Sequence, residues 1–253
     1  VFSIFRHNDA LKKLFNRLTS AKATVDFTTA DTVRHQLWVI EDSNDIDALV
    51  EAFAPLPELY IADGHHRSEA AAEVCRRLKE KNPSHTGKEI YNYFLNVIFP
   101  DNELRILPYN RVVATKRSLD DILNGAENNF EISPADYPVV PDKVHEIGLY
   151  SDRRWHRLFA KPGTFDADDP AAVIDSAILT ANLLKPVLGI EDIRTDEHID
   201  FVGGIRGVEE LVRLVDSGQW QLAFAMYPVS VEQLLAVADA GQVMPPKSTW
   251  FEP

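Results

Sequence analysis

The stretch Leu59-Tyr60-Ile61-Ala62-Asp63-Gly64-His65-His66-Arg67-Ser68-Glu69-Ala70-Ala71-Ala72 changes character twice. A short apolar run reads as a buried strand. A polar turn follows over 63–67, and alanine-rich sequence then predicts a helix over 68–81, with Ala71, Val74, Cys75 and Leu78 on one face. A helix start offers unpaired N–H groups and partial positive charge, so it suits an anion. Gly64 lets the backbone approach closely or take positive φ. Arg67 adds a fork matched to phosphate oxygens, and Ser68 adds a hydroxyl. His65 and His66 can donate hydrogen bonds or titrate near neutral pH. Asp63 can accept a proton, orient a histidine or hold a divalent cation. Capping alone needs neither the histidines nor the arginine, so an anion or nucleotide site is favoured over a purely structural turn. Zinc is disfavoured, because no His/Cys/Asp set has metal spacing.

Outward from this stretch, the elements are short. Periodicity predicts a helix over 9–18, a hairpin over 23–40, a helix over 44–53, and strands over 91–99 and 104–113. Further on it predicts a helix over 120–129 and a hairpin turning at Ser151-Asp152-Arg153-Arg154. Asp169-Pro170 opens a helix reaching about Leu184. A helix over 208–216 stops at Gly218, a strand covers 220–227, and Ser230 with Gln233 forms a capping box. The sum is an α+β protein: mixed sheets of short strands with flanking helices, and a strand–turn–helix at 59–81. The Pro-bearing stretch Ser133 to Asp142 marks a boundary between regions 1–135 and 136–253.

Composition narrows the function. The 253 residues carry a net charge of −13, which opposes binding of nucleic acid through a broad basic face. No apolar run is long enough for a membrane span. A single cysteine, Cys75, fits a reducing cytoplasm and reads as core rather than nucleophile. The first residue is Val1, and the chain stops in a structured-looking segment, so a fragment of a longer protein is expected. Oligomeric state is not legible.

A second group of residues suits anions. Gly203-Gly204-Ile205-Arg206-Gly207 is a glycine turn before a helix, without the full dinucleotide-binding spacing. Lys247-Ser248-Thr249 follows two prolines and suits phosphate oxygens, though the glycines of a Walker A loop are missing. Arg111 follows a strand and either faces an anion or lies on the surface. The alternatives at these places are a tight turn and a solvated lysine.

Four segments carry a resemblance: 60–72, Ile106-Leu-Pro-Tyr-Asn-Arg-Val-Val, Asp200-Phe-Val-Gly-Gly-Ile-Arg-Gly and Met244-Pro-Pro-Lys-Ser-Thr-Trp-Phe-Glu-Pro. Together they resemble the bacterial "domain of unknown function 1015" family across essentially the whole chain. Members are longer, and the family name implies no activity. The Asp63–Arg67 turn is also similar to the Gly-x-x-Arg turn of the ParB/sulfiredoxin superfamily, which includes free-serine kinases. That resemblance implies phosphate contacts from Gly64 and Arg67, with His65 and His66 lining a transfer site. The kinases' catalytic carboxylate lies N-terminal to the turn and matches no residue here. The expected ligand is a small phosphate-containing molecule, with ATP or ADP and Mg²⁺ as cofactors. The expected activity is transfer of a phosphoryl group to a small polar metabolite such as free serine. A nucleotide sensor without catalysis and a phosphate-ester hydrolase are the alternatives.

Overall fold

The computed structural model describes residues 1–252, and the chain divides into two compact units, 1–103 and 104–253. Unit 1 runs β1 (Phe2–Phe5), α1 (Asp9–Leu18), β2 (Val25–Thr28), β3 (Arg34–Leu37), α2 (Ser43–Phe53), β4 (Tyr60–Asp63), α3 (His65–Lys81) and β5 (Val97–Pro100). Its sheet has the order β4-β1-β5, with β4 antiparallel and β5 parallel to β1. α1 starts where the side chain of Asn8 accepts from the amides of Ala10 and Leu11, and Asp42 does the same for α2. The small core gathers Ile4, Phe5 and Leu11, with the Phe5 and Phe53 rings edge-to-face at 5.4 Å. The expected hairpin forms as β2–β3, and His35 there stacks on Phe27.

Three expectations in this unit need correction. β4 is not a buried strand: only Tyr60 is buried, while Ile61 and Asp63 are exposed. Residues 91–99 are not one strand, because a 3₁₀ turn at Ile90–Asn92 delays pairing until Val97. The apolar stripe of α3 is largely wet: Val74 is 50% and Leu78 41% exposed, and Cys75 is only half-buried, its Sγ 3.5 Å from Asn92 Oδ1.

Unit 2 runs β6 (Arg105–Leu107), β7 (Tyr109–Val113), α4 (Leu119–Ala126), β8 (Phe130–Ala135), β9 (Glu146–Ser151) and β10 (Arg154–Ala160). It continues with α5 (Asp175–Leu179), β11 (Ile199–Gly203), α6 (Gly207–Asp216), β12 (Leu222–Met226), α7 (Val231–Asp239) and β13 (Trp250–Glu252). A six-stranded antiparallel sheet has the order β11-β7-β12-β9-β10-β8, and β13 pairs with β6. Side chains alternate across it, as strand geometry requires. Val113, Leu149 and Phe224 face one core with residues of α4 and α5, while Val112, Tyr150 and Ala223 face the other with residues of α6. Both faces are therefore covered.

The β9–β10 hairpin turns as expected, with Asp152 and Arg153 at φ 48° and 58°, the backbone of a type I′ turn. The capping box at Ser230 and Gln233 is present. The boundary drawn near 135 is displaced. β8 pairs along its length with β10, and Val139 is buried in the second core, so Ser133 to Asp142 lies inside unit 2. The helix expected from Asp169 also changes. Asp169 caps the amides of Ala171 and Ala172, yet regular helix begins only at Asp175 and widens to a π-turn over Thr180–Leu184. Among the described residues, no helix is long and apolar enough to cross a membrane.

Candidate functional site

In unit 1, β4 delivers Asp63 to Gly64, which sits at φ 92°, ψ 31° and is the N-cap of α3. That left-handed backbone is costly for any residue with a Cβ. It turns the chain sharply enough that α3 begins at His65, three residues earlier than the sequence pattern places it, so both histidines and Arg67 lie on its first turn. No side chain caps this end. The guanidinium of Arg67 folds back over Gly64, where an added Cβ would stand 3.0 Å from Nη2. The same Nη2 donates to Asp63 Oδ2 at 2.7 Å. Both side chains are about two-thirds exposed, at 66% and 69%, so the pair is weak and a ligand can replace it. His66 is fully exposed with Nδ1 3.9 Å from Glu69 Oε2, His65 is exposed, and Ser68 is half-buried. The turn is open to solvent.

The second group lies in unit 2, and its packing explains much of it. Arg111 on β7 is 1% exposed and belongs to the interior. Its Nη1 donates to the carbonyl of Tyr109, and Nη2 donates to the carbonyl of Lys247 at 2.9 Å. Lys247 takes φ 55°, and its ammonium lies 5.7 Å from the Tyr109 ring and 5.6 Å from the Phe201 ring. It is thus a cation–π clasp on β7 and β11. Ser248 is buried, and Thr249 is half-buried. Gly203 leaves room for the Trp250 indole, 3.0 Å from where a Cβ would be, and Gly204 for Pro108, at 2.6 Å. These glycines answer to packing. Arg206 faces its own helix, 3.8 Å from Glu210, and does not join Arg111.

The sequence reading missed Asp175 and Ser176. Both are buried at the start of α5, and both line a small cavity with Arg111 and Ser248. Asp175 Oδ1 accepts from the backbone N–H of His145 at 2.9 Å and lies 3.1 Å from its Nδ1. Burial pushes the Asp175 carboxyl up to about 6, against the pull of His145 and Arg111. Burial likewise draws Arg111 down to about 10, which leaves it cationic at neutral pH. The available signal was a carboxylate set in the apolar run Ala171-Ala172-Val173-Ile174-Asp175-Ser176-Ala177-Ile178-Leu179. Among the described residues, no group of three His, Cys, Asp or Glu side chains is placed to hold a metal ion.

Comparison with known proteins adds the following. No curated protein matches the chain in sequence. Solved structures that align with it include a conserved hypothetical protein from Pyrococcus furiosus, at 12% identity and TM-score 0.41, covering 99% of this chain and 87% of that one. A free serine kinase variant in complex with ADP aligns at 12% identity and TM-score 0.41, covering 99% and 84%. A free serine kinase in complex with AMP aligns at 11% identity and TM-score 0.41, covering 99% and 83%. The family model described as "Protein of unknown function (DUF1015)" matches residues 1–181, well over half the chain. The chain belongs to that family.

Proposed function

We propose that unit 1 binds the phosphates of a nucleotide, ATP or ADP, at the Gly64 turn, and that the protein transfers a phosphoryl group to a small polar acceptor such as free serine. One observation carries this reading. α3 opens at a left-handed glycine with no capping side chain, and an exposed guanidinium is folded across the opening. The order strand, Gly-x-x-Arg turn, helix agrees with the ParB/sulfiredoxin resemblance.

The chemistry follows from charge. First-turn amides and Arg67 receive phosphate oxygens, and Arg67 exchanges Asp63 for the ligand. The acceptor hydroxyl attacks the terminal phosphorus while the P–O bond to the leaving nucleotide breaks. Asp63, released from Arg67, takes the acceptor proton. His65 and His66 stabilise charge on the transferred group. In the alternative role, Asp63 would hold Mg²⁺ instead of taking the proton. A lone carboxylate suits an ion that arrives on the phosphates, and that ion supplies charge neutralisation there.

Calorimetry with ATP, ADP and CTP, with and without Mg²⁺, tests binding. Arg67→Ala is expected to weaken affinity about tenfold, the loss of one charge-assisted contact. Single-turnover assays with labelled nucleotide and serine or related hydroxyl compounds test transfer. Binding without transfer makes the protein a sensor, and free phosphate without acceptor makes it a hydrolase. No binding of any nucleotide ends the proposal.

A further inference from the structure

Away from the Gly64 turn, unit 1 holds a cleft of about 350 Å³ lined by α1, the end of β1, β5 and the turn after it. Small-molecule sites measure about 300–1,000 Å³ and are mostly apolar, with a few polar groups that fix orientation. The walls here are Phe5, Phe15, Ile98, Phe99 and Pro100. Phe15 and Phe99 are only half-buried. Both rings are braced: Phe99 stands edge-to-face with Phe2 at 5.1 Å, and Phe15 tilts against Phe53 at 6.3 Å. Their remaining exposed surface is apolar area that a ligand can remove from water.

The polar groups come from two elements. Helical spacing puts Lys12 and Asn16 on the α1 face that carries Phe15. The 3₁₀ turn Asp101–Glu103 supplies Glu103, and Asp101 Oδ1 fastens that turn to the end of β1 by accepting the backbone N–H of His7 at 2.8 Å. His7 Nε2 and Thr19 Oγ1 also line the cleft but have partners already, Asp9 Oδ1 at 3.2 Å and the carbonyl of Phe15 at 2.8 Å. Among the described residues, the side chains of Lys12, Asn16 and Glu103 have neither an ion pair nor a hydrogen bond. Lys12 and Glu103 thus share one cleft with more than 4.0 Å between their charges. A simple anion would be repelled by Glu103 and a simple cation by Lys12. A molecule with both charges at one end and an apolar body at the other satisfies the whole lining.

We propose that this cleft binds a free α-amino acid with a large apolar side chain, Lys12 taking its carboxylate, Glu103 its ammonium, and Phe15 and Phe99 its side chain. Asn16 adds an amide that can serve either charged group. Asp63 pairs with Phe2, whereas the cleft begins at Phe5, so about 10 Å of β1 separates it from the Gly64 turn. The site is distinct from the nucleotide turn and does not rest on that reading.

Calorimetry and ligand-observed NMR on the whole chain, without nucleotide, test it. The probes are L-phenylalanine, L-leucine and L-serine, with N-acetyl-L-phenylalanine and L-phenylalaninamide as analogues that each lack one charge. L-phenylalanine or L-leucine should bind at a single site, and L-serine at least about tenfold more weakly, having no large apolar side chain to bury. Each analogue should lose about fivefold, the upper end for an exposed ion pair. The two losses should belong to different residues. Glu103→Gln should abolish the preference for the free amine over the N-acetyl form and keep the preference for the carboxylate over the amide, and Lys12→Met should do the reverse. Both positions are exposed, so both variants should stay folded. The proposal is overturned by no saturable binding of either apolar amino acid, by L-serine binding as tightly as they do, or by charge preferences that both variants leave intact.

Discussion

Arg67 in unit 1 and Arg111 in unit 2 are the same side chain in opposite circumstances. Arg67 is two-thirds exposed and leans on the Asp63 carboxylate at the end of β4. Arg111 is 1% exposed and joins β7 to the backbone at Lys247. The units differ in the same way. α3 of unit 1 buries no residue, whereas the unit 2 sheet has a core on each face. A charged site on a thinly packed unit can exchange partners with little change in stability. A charged site inside a packed unit cannot be altered without disturbing what holds it together.

The sharpest way to break this contrast is Arg111→Met. Methionine approximates the volume but strands the carbonyls of Tyr109 and Lys247 and leaves Asp175 without its neighbouring cation. Losing one partner of a buried charged network costs about 3–4 kcal/mol, which urea denaturation would show as a large fall in midpoint. A loss below about 1 kcal/mol would mean that Arg111 is as replaceable as a surface residue.

Asp175 gives a second, smaller effect with a definite sign. Its folded carboxyl is raised to about 6 from the ordinary 3.8. The folded state therefore holds this proton more tightly than the unfolded chain does. The resulting stabilisation is fully present below 3.8 and is lost as pH rises through about 6. Asp175→Asn should remove that decline, so the two stability profiles should differ in slope across this window and run parallel above it.

The glycines extend the comparison to backbone. Gly204→Ala in unit 2 places a Cβ 2.6 Å from the ring and carbonyl oxygen of Pro108. Neither can swing away, and overpacking of this kind costs about 2 kcal/mol. Gly64→Ala in unit 1 meets only the Arg67 guanidinium, the far end of an exposed side chain. Its cost is the positive φ alone, about 1 kcal/mol. Thermal unfolding of the two variants should rank them in that order.

Legibility in the sequence follows the same division. Where a strand or helix is bounded by local chemistry, the pattern reads through: the Ser230 capping box and the turn at Asp152-Arg153 both form. The glycine turn of the candidate site is local in the same sense, and Gly64 does adopt positive φ. What could not be read depends on distant contacts. The β8–β10 pairing and the burial of Val139 place inside unit 2 the stretch read as a boundary. Arg111 and Lys247 are 136 residues apart, so no local pattern shows that Lys247 turns its carbonyl to a buried guanidinium. Asp175 was overlooked because its partners, His145 and Arg111, come from other elements.

Arg67→Ala has the smallest expected effect on stability and separates the two units most cleanly. An exposed ion pair between a strand end and the first turn of a helix contributes about 0.5 kcal/mol or less, so the unfolding midpoint should hardly move. Nucleotide affinity should nevertheless fall about tenfold, because a phosphate bonded to Arg67 is a stronger partner than the solvated Asp63 carboxylate. The double variant Asp63→Asn, Arg67→Ala sharpens the point. If Asp63 competes with the ligand for Arg67, Asp63→Asn alone should bind nucleotide without Mg²⁺ at least as tightly as the unaltered protein, while transfer is lost with the proton acceptor. In the double variant the Asp63 change should bring no gain in affinity, since the guanidinium it frees is gone. Calorimetry and single-turnover transfer on these three variants would show whether the turn is a binding site or only the start of a helix.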